Sequence, residues 1–186
     1  MKATRADAST APAATSRRGK ARAGKRKGRV VRSPDGPEQL RLYSYLMFNL
    51  VQRIDRARRE VYAGDLDMAC ISEMIALSAI EARMRDPEFR DQYRGVTKVA
   101  GLEAQRGVNA LSVAEATGIP RETTRRKIKK LIERGALLEV RRGEYVMKPG
   151  CLQQDAVTSR LMQALVDTTR FINDSVDQGL FLLADE

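Results

Sequence analysis

The chain has 186 residues, of which 42% are apolar and only 5% aromatic, with no histidine or tryptophan. This length suffices for one compact domain with extensions, and the scarcity of aromatic residues favours helices over strands. Histidine is the commonest general base and metal ligand, so its absence argues against an enzyme, a metal site or another cofactor. The two cysteines, Cys70 and Cys151, show no CxxC spacing and are expected to be reduced thiols in a cytoplasmic protein.

The formal net charge of +10 is concentrated at the N-terminus. Residues 1–36 hold eleven Lys or Arg against two Asp, whereas the rest of the chain is close to neutral. Residues 2–29 contain no Val, Leu, Ile, Met or aromatic residue, so ordering them would bury little apolar area. We predict a disordered basic tail over 1–36 that adds sequence-independent affinity for DNA. A solubilising extension and an organelle transit peptide are the alternatives.

Two long amphipathic helices are predicted on either side of the middle of the chain. Apolar residues recur at three- and four-residue intervals between Leu40 and Val61, and again from Val157 to Leu180 within a helix over about 152–183. These stripes either bury within one chain or pack across the two-fold axis of a homodimer, and we predict the homodimer. No apolar run approaches the roughly 18 residues that a membrane span needs, so we expect no membrane partner.

The residues after the first long helix complete a predicted N-terminal helical region over 37–94. The segment 65–85 is apolar nearly all round, which predicts a buried helix. Its methionines favour a gap-filling core over a ligand pocket, so a small-molecule effector has no residues assigned to it. Asp86 and Pro87 then begin a short helix, as N-cap and first helical residue, which Gly95 ends.

A tripartite pattern occupies the middle of the chain. We predict a first helix over Val96–Gln105, a second that opens at the N-cap Asn109, and a third that starts at Pro120. The second helix is short and stops at Gly118. Helix, tight glycine turn and helix is the order of a helix-turn-helix, which is used to bind DNA.

The third helix lies within "TGIPRETTRRKIKKLIERGAL" and has two unlike faces. On a helical wheel, Thr124, Ile128, Leu131 and Ile132 cluster on an inner face. Lys and Arg outnumber Glu by seven to two between residues 121 and 134. A solvated face with a Glu122–Arg126 ion pair is the alternative, but the excess of one sign favours an anionic partner. "LLEVRRGEYVMK" follows as a β-hairpin, in which Leu138, Val140, Tyr145 and Met147 alternate with polar residues around a turn at Arg142-Gly143.

The stretch "GVNALSVAEATGIPRETTRRKIKKLIERGALLEVRRGEYVM" resembles the winged helix-turn-helix of bacterial transcription regulators, particularly the MarR-like and IclR-like groups. The resemblance covers about residues 96–148 and is carried by Ala114, Gly118, Ile128, Leu131 and "ERGALLE". Thr124 departs from it, because such motifs usually carry Val there. The resemblance implies a mainly α fold with a winged helix DNA-binding domain over 95–149, a small β-hairpin wing and long flanking helices, the last within 150–186.

The expected function is sequence-specific binding of double-stranded DNA by a cytoplasmic, nucleoid-associated transcription regulator. A recognition helix enters the major groove by its N-terminal half, so the residues expected at base edges are Glu122, Thr123, Arg125 and Arg126. The residues expected at phosphates are Arg121, Lys129, Lys130 and the wing residues Arg141 and Arg142. The alternative is an architectural, replication or partition protein that uses the same module for low-specificity DNA binding or for protein binding.

Overall fold

The computed structural model describes residues 29–32 and 38–184, which are mainly helical and include a small three-stranded antiparallel sheet. Two 3₁₀ turns, Leu102–Ala104 and Cys151–Gln153, lie between the regular elements. In chain order these elements are β1 (Arg29–Arg32), α1 (Leu40–Val61), α2 (Leu66–Met84), α3 (Pro87–Gln92), β2 (Val108–Asn109), α4 (Ala110–Thr117), α5 (Arg121–Glu133), β3 (Leu137–Arg141), β4 (Glu144–Met147), α6 (Asp155–Asp177) and β5 (Phe181–Ala184).

One hydrophobic core joins α2, α4, α5 and the three-stranded sheet. Its fully buried side chains come from all four parts, for example Ile71 and Ile75 of α2, Val113 of α4, Ile128 of α5 and Leu137 of β3. Burial of side chains of this size contributes about 1.5–3 kcal/mol each. Residues on both sides of position 95, where the sequence predicted a domain boundary, therefore belong to one core.

The predicted first helix over Val96–Gln105 is wrong. Only the 3₁₀ turn Leu102–Ala104 forms there, and the two residues after it bond to partners distant in sequence. The Arg106 N–H donates to the Ala79 carbonyl over 2.8 Å. The Gln105 side-chain amide donates to the Met147 carbonyl and accepts from the Met147 N–H, both over 3.0 Å. These bonds tie the segment to α2 and β4, and α2 supplies the third helix that packs on α4 and α5.

The predicted β-hairpin is confirmed by β3 and β4. Arg142-Gly143 forms the two-residue turn, where Gly143 has a φ of 77° that suits glycine. The strand order is β2-β4-β3, with Leu137 opposite Met147 on the core side. Leu138 lies opposite Val146 on the other side of the sheet. The buried hairpin residues are thus Leu137 and Val146, which the predicted alternation of Leu138 and Val140 with polar residues did not single out.

The two predicted long helices, α1 and α6, form an antiparallel pair. Arg53 of α1 contacts Asp167 of α6 over 3.4 Å, and the Glu60–Arg160 ion pair lies nearer the C-terminus of α1 and the N-terminus of α6. The pair is joined to α2 by Arg58, which donates to Glu73 through Nε over 3.0 Å and through Nη2. Within the described residues, no helix combines the length and apolar content needed to cross a bilayer.

Two boundaries and the burial of one helix differ from the sequence predictions. The last helix stops at Asp177 rather than near 183, because Gly179 turns with a φ of 74° and the chain continues as β5. β5 pairs antiparallel with β1, so the prediction of disorder is wrong for Arg29–Arg32. The rest of the predicted tail, 1–28 and 33–36, lies outside the described residues. The helix α2 is not buried all round as predicted, because the side chain of Leu77 is 64% exposed. The start of α3 is as predicted, at Pro87 after the N-cap Asp86.

Candidate nucleic-acid interface

The turn between α4 and α5 is fixed by hydrogen bonds within the local sequence. The Asn109 side chain accepts from the Ser112 N–H over 2.9 Å, which confirms it as the N-cap of α4. Gly118 ends α4 in the left-handed conformation, with a φ of 70°, and donates to the Ala114 carbonyl. Pro120 occupies the N-cap of α5, so the helix begins at Arg121, one residue later than predicted. These residues set the angle at which α5 leaves α4.

The inner face of α5 packs into the shared core as predicted. Thr124, Ile128 and Leu131 are buried, and Ile132 is half-buried. The Thr124 hydroxyl donates to the Ile119 carbonyl over 3.2 Å, so this buried polar group has a partner at the helix entry. A valine could not make that bond, so the bond explains how a threonine is accommodated at this buried position.

The predicted DNA-contacting residues lie on α5 and at the hairpin tip. Arg121 and Arg125 lie beside the buried face of α5, and the others on the helix lie opposite that face. Thr123 is half-buried and the remaining eight are exposed. Among the described residues, six of these cations form no ion pair: Arg121, Arg126, Lys129, Lys130, Arg141 and Arg142. No carboxylate of the described residues lies within 4 Å of these six cations, and α5 carries six Lys or Arg against Glu122 and Glu133, so the helix keeps an excess of positive charge.

One acidic residue of α5 has a different partner from the one that the solvated-face alternative supposed. Glu122 accepts a hydrogen bond from Arg125 over 2.9 Å, rather than pairing with Arg126. At the hairpin tip, Glu139 accepts from the Gly143 N–H over 2.7 Å and holds the turn that carries Arg142. The two glutamates thus restrain Arg125 and the wing turn, while Arg126 projects without a carboxylate partner among the described residues.

Lys127 has a structural contact that the sequence prediction missed. Its ammonium binds the carboxylate of Asp65, the N-cap of α2, and lies 4.0 Å from Asp67. Partial burial acts to raise the pKa of Asp65, but hydrogen bonds from Lys127 and from the Met68 N–H outweigh it and lower the pKa. Lys127 therefore fastens α5 to α2. Lys127 lies at the edge of the apolar face of the helical wheel, and this position could have indicated that its side chain contacts a neighbouring helix.

Replacing Lys127 with methionine is expected to lower the free energy of unfolding by about 1 kcal/mol at neutral pH, through loss of this hydrogen-bonded ion pair. A carboxyl with a lowered pKa contributes stability that is present above its unfolded value, about 3.9, and is lost as the pH falls through the folded value. The cost of the substitution should therefore shrink in acid. Urea unfolding at neutral and acidic pH measures this, with Lys129→Met as control, and an equal cost at both pH values would contradict the role of Asp65.

A cleft of about 400 Å³ lies behind the C-terminal end of α5, between α1, α2 and α6. Its walls are largely apolar and include Leu131, Val157 and Leu161. Two of the arginines that line it are engaged within the protein, Arg58 with Glu73 and Arg160 with Glu60. No residues are therefore assigned to a small-molecule effector in this cleft.

Comparison of the chain with protein-family models, curated protein sequences and solved structures gave no match. Within the described part of the chain, no group of three or more His, Cys, Asp or Glu side chains is placed to hold a metal ion. The two cysteines are free thiols, and burial raises the pKa of the Cys151 thiol.

Proposed function

We propose that this chain is a transcription regulator that binds duplex DNA in a sequence-specific manner through a winged helix. The module would comprise α2, β2, α4, α5, β3 and β4, with α2 in place of the predicted helix over 96–105. Its support is the element order helix, strand, helix, helix and hairpin, together with the strand order β2-β4-β3. In this assignment α4 and α5 are the helix-turn-helix, and the β3–β4 hairpin is the wing.

The excess of positive charge on α5, much of it on cations without an ion-pair partner among the described residues, is the observation that carries the proposal. Exposed like charges on one helix repel each other, and this repulsion is relieved when phosphates approach. Binding of phosphates also releases condensed counterions, which favours association at low salt. A merely solvated helix face usually mixes charges of both signs more evenly than the six Lys or Arg against two Glu of α5.

The proposed contacts follow from the direction of α5. Its N-terminal half would enter the major groove, with Arg126 almost opposite the buried Thr124 and Thr123 beside it. Arginine is suited to a bidentate contact with guanine, and the threonine methyl to that of thymine. Glu122 and Arg125 would exchange their mutual hydrogen bond for base contacts, such as Glu122 to a cytosine amine.

The remaining cations are assigned to the DNA backbone. Arg121, Lys129 and Lys130 flank the base-reading residues on α5, and Arg141 and Arg142 extend from the wing. Contacts of this kind orient a protein on the duplex without reading the sequence. The hydrogen bond between Glu139 and Gly143 would keep the wing turn in place for such contacts.

Replacing Lys129 with alanine is expected to weaken binding to all duplex sequences alike. Loss of one phosphate contact should also reduce the slope of log affinity against log salt by about 1. Titration of labelled duplexes at several salt concentrations measures both quantities. Arg90→Ala is the matched control, because it removes the same charge from an exposed residue of α3. A slope equal to that of the control would contradict the phosphate contact.

A further inference from the structure

The N-terminal half of α5 carries one acidic residue among its basic ones. Residues 121–127 hold four Lys or Arg, and Glu122 is their only acid. The Glu122 carboxylate accepts a hydrogen bond from Arg125 over 2.9 Å, and its side chain is 82% exposed. A negative charge at this place lowers the affinity of the helix for phosphates of any sequence. Its position on the surface proposed to bind DNA therefore bears on how that surface selects a duplex.

Glu122 lies on the side of α5 that points away from the core. Because an α-helix has 3.6 residues per turn, Glu122 falls between Arg125 and Arg126 on the helical wheel, and the buried Thr124 lies across the axis. In the proposed docking, the N-terminal half of α5 would enter the major groove. The Glu122 carboxylate would then face the base edges, with the phosphates of both strands around it.

The chemistry of the base edges determines which base this carboxylate tolerates. An ionised carboxylate only accepts hydrogen bonds, and guanine N7 and O6 and thymine O4 are also acceptors. Adenine offers an amine, but the amine stands beside the acceptor N7. Cytosine offers its amine without a neighbouring acceptor in the major groove. Cytosine is therefore the base that satisfies Glu122 best.

We propose that Glu122 rejects duplexes without a cytosine at its position, by withholding Arg125 from them. At a cytosine the carboxylate bonds to the amine, and the Arg125 guanidinium is released to a base or a phosphate. At another base the carboxylate either stays on Arg125 or stands unpaired among acceptors and phosphates, and both arrangements weaken binding. The inference rests on the proposed function and deepens it, because it makes the contact of Arg125 conditional on the base that Glu122 meets.

The exposure of the pair allows this exchange. The Arg125 side chain is 50% exposed, and ion pairs between exposed side chains contribute little to stability. A cytosine amine in the groove can therefore displace Arg125 at small cost. A carboxylate that is removed from water without a partner is strongly unfavourable by comparison. The selectivity would thus come mainly from the penalty on a wrong duplex.

The test is the affinity of the full-length chain for three duplexes of equal length. These are the sequence enriched from a random pool by the wild type, the same sequence with its cytosine replaced, and an unrelated sequence. Glutamine has the shape of glutamate but binds adenine through N6 and N7. We expect Glu122→Gln to accept adenine in place of cytosine, and to lower the preference for the enriched over the unrelated duplex about tenfold.

Glu133→Gln is the matched control, because it removes the same charge from an exposed residue of the same helix. Glu133 lies eleven residues further along α5, or about 16 Å along its axis, which exceeds the screening length of roughly 8–10 Å. Glu133→Gln should therefore keep the base preference of the wild type. A carboxylate in the first turn also complements the helix dipole, so circular dichroism of each variant checks that the helices are kept.

Arg125→Ala tests whether the two contacts are coupled. Replacing the cytosine should cost the wild type both the bond to Glu122 and the released Arg125, whereas the variant has no second contact to lose. In a double-mutant cycle of this substitution and the base-pair change, we expect the cytosine to matter less to Arg125→Ala than to the wild type. Contacts that act independently would give equal costs.

Four results would overturn the proposal: an enriched motif without cytosine, an unchanged base preference in Glu122→Gln, an equal change in Glu133→Gln, or equal costs in the cycle with Arg125→Ala. Each of them leaves the proposed function intact as long as the wild type binds one motif preferentially. A wild type that binds all three duplexes alike would overturn both.

Discussion

The free energy of unfolding is expected to fall by about 2–5 kcal/mol when Ile128 is replaced with alanine. Ile128 is 1% exposed and belongs to the core cluster that joins α5 to α2 and α4. Removing its side chain forfeits transfer free energy and leaves a cavity that the surrounding helices fill only in part. Urea unfolding followed by circular dichroism measures the loss.

The neighbouring residue offers a control for this prediction. Lys129 is exposed on the opposite face, so Lys129→Ala should change the free energy of unfolding by no more than about 0.5 kcal/mol. Ile128→Val should lie between the two, at about 0.5–1.5 kcal/mol. Equal losses for Ile128→Ala and Lys129→Ala would mean that α5 does not present these faces to core and solvent.

Arg126→Ala is expected to cost about 1–3 kcal/mol at a single base pair and to relax the base preference there. Arg126 lies almost opposite the buried face of α5 and has no ion-pair partner within the described residues, so its guanidinium is free to meet a base edge. The measurement is competition binding with duplexes in which each base pair is varied in turn.

Arg126→Lys separates base reading from charge. Lysine keeps the positive charge but lacks the planar fork that binds guanine through two parallel hydrogen bonds. We expect this variant to lose the base preference while keeping the salt dependence of the wild type. If both variants show the same pattern of base preference as the wild type, Arg126 does not read DNA sequence.

The parts of the interface that the sequence predicted are those determined by local chemistry. The two faces of α5 follow from helical periodicity, which holds whatever the helix packs against. Asn109 and Gly118 act as predicted because capping depends on residues within one turn. The turn at Arg142-Gly143 likewise depends on a glycine that accepts a positive φ.

The features that the sequence did not reveal depend on contacts between distant residues. The segment over 96–105 looked helical, yet the Gln105 side chain bonds to the Met147 backbone of β4, and the N–H of the next residue, Arg106, donates to Ala79 of α2. The strand β1 forms only because β5, about 150 residues away, pairs with it. The contact of Lys127 with Asp65 spans 62 residues and depends on how α2 crosses α5. Local periodicity carries no information about such partners.

Selection of bound duplexes from a random pool by the full-length wild-type chain tests sequence-specific recognition through α5 most directly. We expect one enriched motif that contains guanine at the position of Arg126, and we expect that base preference to disappear when the selection is repeated with Arg126→Ala. Two copies of the motif in inverted orientation would also fit the homodimer that the sequence predicts. A pool that binds without any enriched sequence would contradict specific recognition and favour the architectural alternative.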